Sequence, residues 1–298
     1  MRENNLKYGD KIIYMEGVIV EVHDGCVAID LKGRLGYLKV PMRMLITDYE
    51  IKVGQEVGFN MSFVEQLGSQ PNYKYISNLM TRNKKILNEM KIALSTAAGV
   101  HHKYDKRFNL AGDFTFRIVT DSMPSNELMV SHGGYDNGDV NKDINCMFPI
   151  DRLHELATEG CIGSVAPVHI GFMGGGGNQQ KFKEETGPKI ARILKEEGVD
   201  GVLLTAGWDT CHRSAVLVQR AIEEAGIPTI IIAALPPVAR QTGTPRAVAP
   251  RVPMGANAGE PNNRKMQYNI VKDTLIQLHD IQIPDKIVPL PYEYLARV

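Results

Sequence analysis

The sequence predicts an α/β protein: a mostly parallel sheet flanked by helices, of Rossmann or flavodoxin-like type, preceded by a small N-terminal β-barrel. Three observations carry this. From about Lys91, apolar strand-length runs alternate with segments of helical period, the pattern of a parallel sheet covered on both faces. Before residue 80 the pattern is one of short strands broken by turn residues. Between the two, "GSQPNYKYISNLMTRNKK" is polar and contains a proline, which reads as a linker. The predicted division is 1–79 for the β domain, 80–90 for the linker and 91–298 for the α/β domain.

The elements follow in order. "KIIYMEGVIVEVHDGCVAIDL" gives two β-rich runs around Asp24-Gly25, a strong hairpin signal. "GRLGYLKVP" and "VGQEVGFNMSFVEQL" continue it, and about five short strands in this length predict an OB-like or KOW-like barrel. "KIALSTAAGV", "FRIVT" and "ELMVSHGG" are strand candidates of the second region. "PIDRLHELATEG" places Ile150, Leu153 and Leu156 at helical spacing and stops at Gly160. "SVAPVHIGFMGGGG" is a strand running into a glycine-rich loop. "TGPKIARILKEEG" has Pro188 just inside its start and Gly198 just past its end, the asymmetry of a helix. "GVLLTAG", a helix from about Cys211 to Ala225, "PTIIIAAL" and a C-terminal helix in "MQYNIVKDTLIQLHDI" complete the pattern.

Composition narrows the function classes. Lys+Arg and Asp+Glu both total 34, so the chain is formally neutral and does not read as a general polyanion binder. Residues 1–79 hold nine Lys/Arg against ten Asp/Glu and show no basic stripe, which argues against nucleic-acid binding by the barrel. No apolar run reaches the ~18 residues of a membrane span. "MRENNLKYGDK" lacks the apolar core of a signal peptide, so the expected compartment is the cytoplasm. Cys26, Cys146, Cys161 and Cys211 are widely spaced and fit neither a disulfide framework nor a zinc pattern.

Ligands of such sheets bind beyond the carboxyl ends of the strands, so the loops there are informative. "GFMGGGGNQQKF" carries four glycines, Gly174 to Gly177, able to cradle an anion or to let backbone approach closely. It has neither the dinucleotide nor the P-loop order. His101, His102, His132 and His169 stand near predicted strand ends without metal-motif spacing, and no metal is expected. No Gly-x-Ser-x-Gly elbow occurs. "GWDTCHRS" sets Cys211 at a helix N-terminus beside His212 and Arg213. The dipole and those charges lower a thiol pKa below its usual ~8.5; location alone leaves a buried structural cysteine equally open. Trp208, the one tryptophan, stands three residues earlier, where a redox pair would carry its first chalcogen.

From about Lys91 onward, "KRFNLAGDFTFR", "LMVSHGGYDNGDVNKDINCMFPIDRL", "APVHIGFMGGGG", "DGVLLTAG", "TCHRSAVLVQRAIEEAGIPTIIIAALPPVARQ", "GTPRAVAPRVPMGANAGEPNN" and "KIVPLPYEY" closely resemble the selenoprotein subunits of D-proline reductases. They resemble the selenoprotein B components of glycine, sarcosine and betaine reductases more distantly. The resemblance covers roughly two thirds of the chain. It implies selenocysteine where Trp208 is written, and a partner cysteine at Cys211. Selenocysteine is encoded by UGA, one base from the tryptophan codon UGG. It further implies reductive C–N cleavage of D-proline to 5-aminovalerate. A pyruvoyl group on another subunit activates the α-carbon, residue 208 attacks it, Cys211 resolves the selenium, and a dithiol or electron-transfer protein regenerates the pair. No Thr-Val-Cys-like self-cleavage site is evident, so no covalent cofactor is expected in this chain and the pyruvoyl belongs to a partner in a hetero-oligomer. Substrate- or partner-facing roles are expected for His132, His169, Gly174, Gly175, Gly176, His212 and Arg213, with the loops at 132–146, 174–180 and 240–263 toward the partner. Two departures from the family pattern are Trp208 itself and the N-terminal β domain. A redox-inactive scaffold bearing a genuine Trp208, and a reductase of another amino acid, are the alternatives.

Overall fold

The computed structural model describes residues 11–23, 25–33, 36–64, 86–176, 178–281 and 285–295, and the chain divides into two compact units, Met1–Asn72 and Tyr73–Val298. The predicted linker at 80–90 falls largely outside the described residues; of its described part, Leu87–Glu89 forms one 3-10 turn.

In the first unit, β1 (Ile13–His23), β2 (Cys26–Leu31), β3 (Gly36–Pro41) and β4 (Glu56–Met61) form an antiparallel sheet in the order β3-β2-β1-β4. The β1–β2 hairpin pairs His23 with Cys26, the two-residue connection expected at Asp24-Gly25, of which Asp24 lies outside the described residues. Its core is Ile19, Val27, Ile29 and Leu31, with Leu38, Val40, Val57 and Phe59 packed around them. At Gly17 a side chain would meet Ile29 Cγ2 and the Asp30 carbonyl within 3 Å, so β1 and β2 need glycine there. Among the described residues β3 and β4 remain free edges of an open sheet, and the closed barrel is not formed.

In the second unit the strands are β5 (Lys91–Thr96), β6 (Val100–His102), β7 (Phe116–Thr120), β8 (Leu128–Val130), β9 (Ser164–Val165), β10 (Val168–Phe172), β11 (Gly201–Thr205), β12 (Thr229–Ile232), β13 (Arg246–Arg251) and β14 (Lys286–Glu293). The main sheet runs β14-β13-β12-β11-β5-β10-β7, with β9 beside β5. All its pairings are parallel except that of edge strand β7 with β10. β6 and β8 form a separate antiparallel pair. The helices are α1 (Gly138–Lys142), α2 (Ile150–Thr158), α3 (Gln179–Lys181), α4 (Gly187–Glu196), α5 (Asp209–Glu224), α6 (Pro236–Thr242) and α7 (Arg264–Asp280). A π-helical turn, Phe182–Thr186, joins α3 to α4.

Alternation along the strands builds two cores. Ile92, Leu94, Leu203, Ile230 and Ile232 face α2 and α7, meeting Leu153, Leu156, Ile270 and Leu275. Ala93, Val202, Leu204 and Ile231 face α4 and α5, meeting Ile190, Leu194, Val218 and Ile222. Each Val, Leu or Ile among them, removed from water, contributes ~1.5–3 kcal/mol. Helix ends follow their local chemistry. Asn263 caps α7 by accepting from the Met266 N–H at 3.1 Å, and Gly160 and Gly198 take positive φ just past α2 and α4.

The strand order positions the site. β10 lies on one side of β5 and β11 on the other, after which the chain proceeds outward through β12, β13 and β14. The chain therefore reverses direction across β5, and the crevice outside the carboxyl ends of β5 and β11 is a topological switch point.

Candidate active site

Three strand ends converge at that crevice: Thr96-Ala97-Ala98 after β5, Met173-Gly174 after β10, and Ala206-Gly207-Trp208 after β11. Their polar groups are tied together. Thr205 Oγ1 lies 2.7 Å from Thr96 Oγ1 and donates to the Met147 carbonyl. Asn257 reaches in from the loop after β13 and donates from Nδ2 to the carbonyls of Ala206, at 3.0 Å, and Ile232, at 2.9 Å. The ends of β11 and β12 are thus held by one buried amide.

Trp208 is the N-cap of α5, in extended conformation, and its carbonyl accepts the His212 N–H at 2.8 Å. Its side chain is 43% exposed, whereas Cys211, at the third helical position, is 0% exposed. His132, at the end of the β8 segment, places Nε2 2.8 Å from Cys211 Sγ. Gly134 donates its N–H to His132 Nδ1 at 2.9 Å, and Asn137 Nδ2 donates to the His132 carbonyl at 2.7 Å. Tyr135 stacks at a tilt on the His132 ring, 4.8 Å between centroids, and donates its hydroxyl to the Ala98 carbonyl.

Glycines make room for these groups. A Cβ on Gly174 would lie 2.5 Å from Cys211 Cα, and one on Gly207 would lie 2.3 Å from the Tyr135 ring. A Cβ on Gly134 would meet the Trp208 ring at 2.5 Å, so the indole rests over the Gly134 backbone. Gly176, at positive φ, packs on Gly112; a Cβ on Gly175 would approach Met173 Cε at 3.1 Å; Gly177 lies outside the described residues. The glycine run thus serves close backbone approach: the Gly174 carbonyl accepts from Ser214 Oγ at 2.8 Å.

The electrostatics differ from the sequence expectation. Burial pushes the Cys211 thiol up to about 11, against backbone hydrogen bonds from Trp208, Gly174 and Gly207 and the Thr210 side chain, which lower it. The helix terminus does not win, because water is excluded and the expected cations are not available. His212 is fully buried, and burial lowers its pKa. Its Nδ1 bonds the Trp208 carbonyl at 2.7 Å and its Nε2 accepts from Leu235 N–H at 3.2 Å, so it is a neutral tie between α5 and the loop before α6. Arg213 is paired with Asp209 at 2.9 Å. His132 is pushed down to about 4 by burial. His169 also departs from expectation. It is the second residue of β10, accepts the Leu94 N–H at Nδ1, and packs edge-on to Phe148. That places it in the core near the start of its strand, away from the carboxyl-end crevice. His101 bonds Ser131 Oγ and the His102 carbonyl. Among the described residues no group of three or more His, Cys, Asp or Glu is placed to hold a metal ion, and no helix is long and apolar enough to cross a membrane.

Further along the same edge, Ala234, Pro236, Pro250, Arg251, Pro253 and Tyr294 line an open cavity of about 600 Å³. Gly134, Tyr135 and Asn257 lie in loops that the sequence marks as candidates, but none of the three stands out there as a site residue. The signal for the first two was there in "SHGGYDN", where a pair of adjacent glycines stands between a histidine and a tyrosine.

Fold and site together define a parallel-sheet α/β protein with a histidine-bonded, buried thiol at the switch point of its sheet. Residues 77–207 match the family model of glycine/sarcosine/betaine reductase selenoprotein B. The D-proline reductase subunit gamma of Acetoanaerobium sticklandii is 72% identical over 214 residues, which cover 72% of this chain and 88% of that one. The sarcosine reductase complex component B subunit beta of Peptoclostridium acidaminophilum is 32% identical over 59% of this chain. The glycine reductase complex component B subunit gamma of Carboxydothermus hydrogenoformans is likewise 32% identical over 59%; both matches span 41% of the relative's own length. The chain belongs to the glycine/sarcosine/betaine reductase selenoprotein B family. No solved structure matches it.

Proposed function

We propose that this chain is a subunit of a cytoplasmic D-proline reductase-type complex, with residue 208 as the nucleophile position and Cys211 as its resolving thiol. The observation that carries the reading is the contrast across the first turn of α5. Position 208 is an exposed N-cap, and Cys211 is sealed at the third helical residue. An exposed first member meets substrate and reductant, and a buried second member resolves. The 72% identity to a D-proline reductase subunit gamma supports the substrate. The reversal of strand order at β5 supports a ligand at this crevice.

Selenocysteine fits position 208. An N-cap side chain accepts N–H groups of the first turn, and the helix terminus favours its anion. It would supply an ionised nucleophile that is also a good leaving group in exchange. The chain's own residues then perform two tasks. Gly134 leaves the space in front of residue 208 clear of any side chain. Cys211 attacks selenium from within as a thiolate; the Se–S bond forms as the Se–C bond to the substrate breaks, and that bond's electron pair stays on the substrate carbon, which takes up a proton. An external dithiol returns two electrons to the pair. A pyruvoyl-bearing partner is required, and the edge formed by 132–146, 174–180 and 240–263, with the cavity at Arg251 and Tyr294, is the surface we assign to it.

A second reading has its own observation: the Trp208 indole already has a seat over Gly134, as a scaffold with a genuine tryptophan requires. Reconstitution with the pyruvoyl-bearing subunit separates the two. The chain with selenocysteine at 208 is expected to reduce D-proline with dithiol, and the Trp208 chain to be inactive. Turnover by the isolated selenium-containing chain would overturn the need for a partner. Equal inactivity of both forms would leave the scaffold reading.

A further inference from the structure

The geometry points to His132 as a fixed hydrogen-bond donor to the Cys211 sulfur, held in one tautomer by the Gly134 backbone. The Gly134 N–H reaches His132 Nδ1 at 2.9 Å. A donor there requires a lone pair on Nδ1, and a neutral imidazole carries its one proton on the other nitrogen. Nε2 therefore bears the hydrogen, and it lies 2.8 Å from Cys211 Sγ. The ring has no freedom to reverse. Its carbonyl is held by Asn137, and its face by Tyr135. Burial keeps the ring neutral, so the single-proton tautomer persists.

The consequence inverts the usual pairing of a thiol with a histidine. While the Gly134 bond stands, Nε2 has no lone pair with which to take the thiol's proton. His132 is not a base for Cys211; it steadies negative charge on the sulfur. With the Trp208, Gly174 and Gly207 backbone and the Thr210 side chain also bonded to that sulfur, the site is built for a thiolate although burial opposes one. This inference rests on the reading of Cys211 as the resolving thiol only for its use in turnover. There it sets the direction of reduction. The incoming dithiol sulfur bonds to the exposed selenium, the Se–S bond breaks, and its electron pair goes to Cys211, where the Nε2–H receives it. His132 is thus a positioning residue that makes Cys211 the leaving group.

Two readouts test this without turnover. Nitrogen-15 NMR of histidine-labelled protein, with the His132 signals assigned by their loss in His132→Gln, is expected to show Nδ1 unprotonated and Nε2 protonated. A protonated Nδ1 would overturn the inference. In a Trp208→Ala background, chosen to open the sulfur to reagent, alkylation of Cys211 is followed by peptide mass against pH. His132→Leu is expected to slow it about ten-fold at each pH below the thiol's midpoint, the value of a hydrogen bond to a charged group, and His132→Gln, which keeps an amide donor, to restore most of the rate. Equal rates in the Leu variant would contradict donation to the sulfur. Failure of the redox reading would leave both readouts unchanged, so the two claims fall separately.

Discussion

His132 Nε2 lies 2.8 Å from Cys211 Sγ, joining the end of β8 to the first turn of α5 across 79 residues of sequence. Around that contact the protein excludes water more strongly than it supplies positive charge, and this balance governs the behaviour of the thiol.

Trp208→Ala is expected to raise the reactivity of Cys211 toward iodoacetamide by roughly ten-fold at neutral pH, because relieving burial moves the thiol back toward its free value. The comparison is the alkylation rate of the Cys211 peptide in the two chains. An unchanged rate would mean that the indole does not seal the sulfur.

Gly174 and Gly134 differ in what surrounds them, and so should their alanine variants. At Gly174 a methyl would meet Cys211 Cα at 2.5 Å, backbone that cannot step aside, and Gly174→Ala should cost ~1–3 kcal/mol by overpacking. At Gly134 the same methyl meets the half-exposed Trp208 ring at 2.5 Å, which can move outward, and His132 Cε1 at 2.9 Å, which needs to give by only a few tenths of an ångström. Gly134→Ala should shift tryptophan emission to the red with a much smaller loss in denaturant midpoint.

Asn257→Ala removes both hydrogen bonds that hold the ends of β11 and β12. Two buried carbonyls lose their side-chain donor, at ~1–3 kcal/mol each. Thermal unfolding should show a fall of several degrees, and Asn257→Asp, which also lacks the amide donor, should not rescue it.

Acid should destabilise the second unit through its buried histidines. For His132 the folded pKa is depressed to about 4 from an ordinary 6.5, by burial. The unfolded chain binds the proton first. The stability is therefore whole above pH 6.5 and is lost as pH falls toward 4, by at most about 3 kcal/mol from this residue. Burial acts in the same direction at His169 and His212. Denaturant titrations between pH 7 and 4 should show the decline, with a shallower slope in His132→Gln.

Much of this was legible in the sequence, for identifiable reasons. The helices at "PIDRLHELATEG" and "TGPKIARILKEEG" carried their own stop signals in Gly160 and Gly198. The parallel sheet followed from the apolar runs that became β5, β11 and β12. The region of the candidate site was legible because strand carboxyl ends collect ligands in such sheets. Sequence reasoning fell short where three-dimensional burial decides. Cys211, His212 and Arg213 read as a local positive field; His212 is neutral in the core and Arg213 is spent on Asp209. His169 looked like a strand-end residue, but the strand starts one residue before it, which places it far from the crevice. The His132–Cys211 contact has no local signal at all. In the first unit, strand count and turn chemistry predicted a barrel, and they do not fix whether β3 and β4 close upon one another.

Whether position 208 is the redox position is decided by the mass of the peptide spanning residue 208 in protein isolated from its native source, together with its selenium content. Selenocysteine at 208 and one selenium per chain, encoded by UGA, are expected. A tryptophan mass at 208 with no selenium would contradict a redox role there.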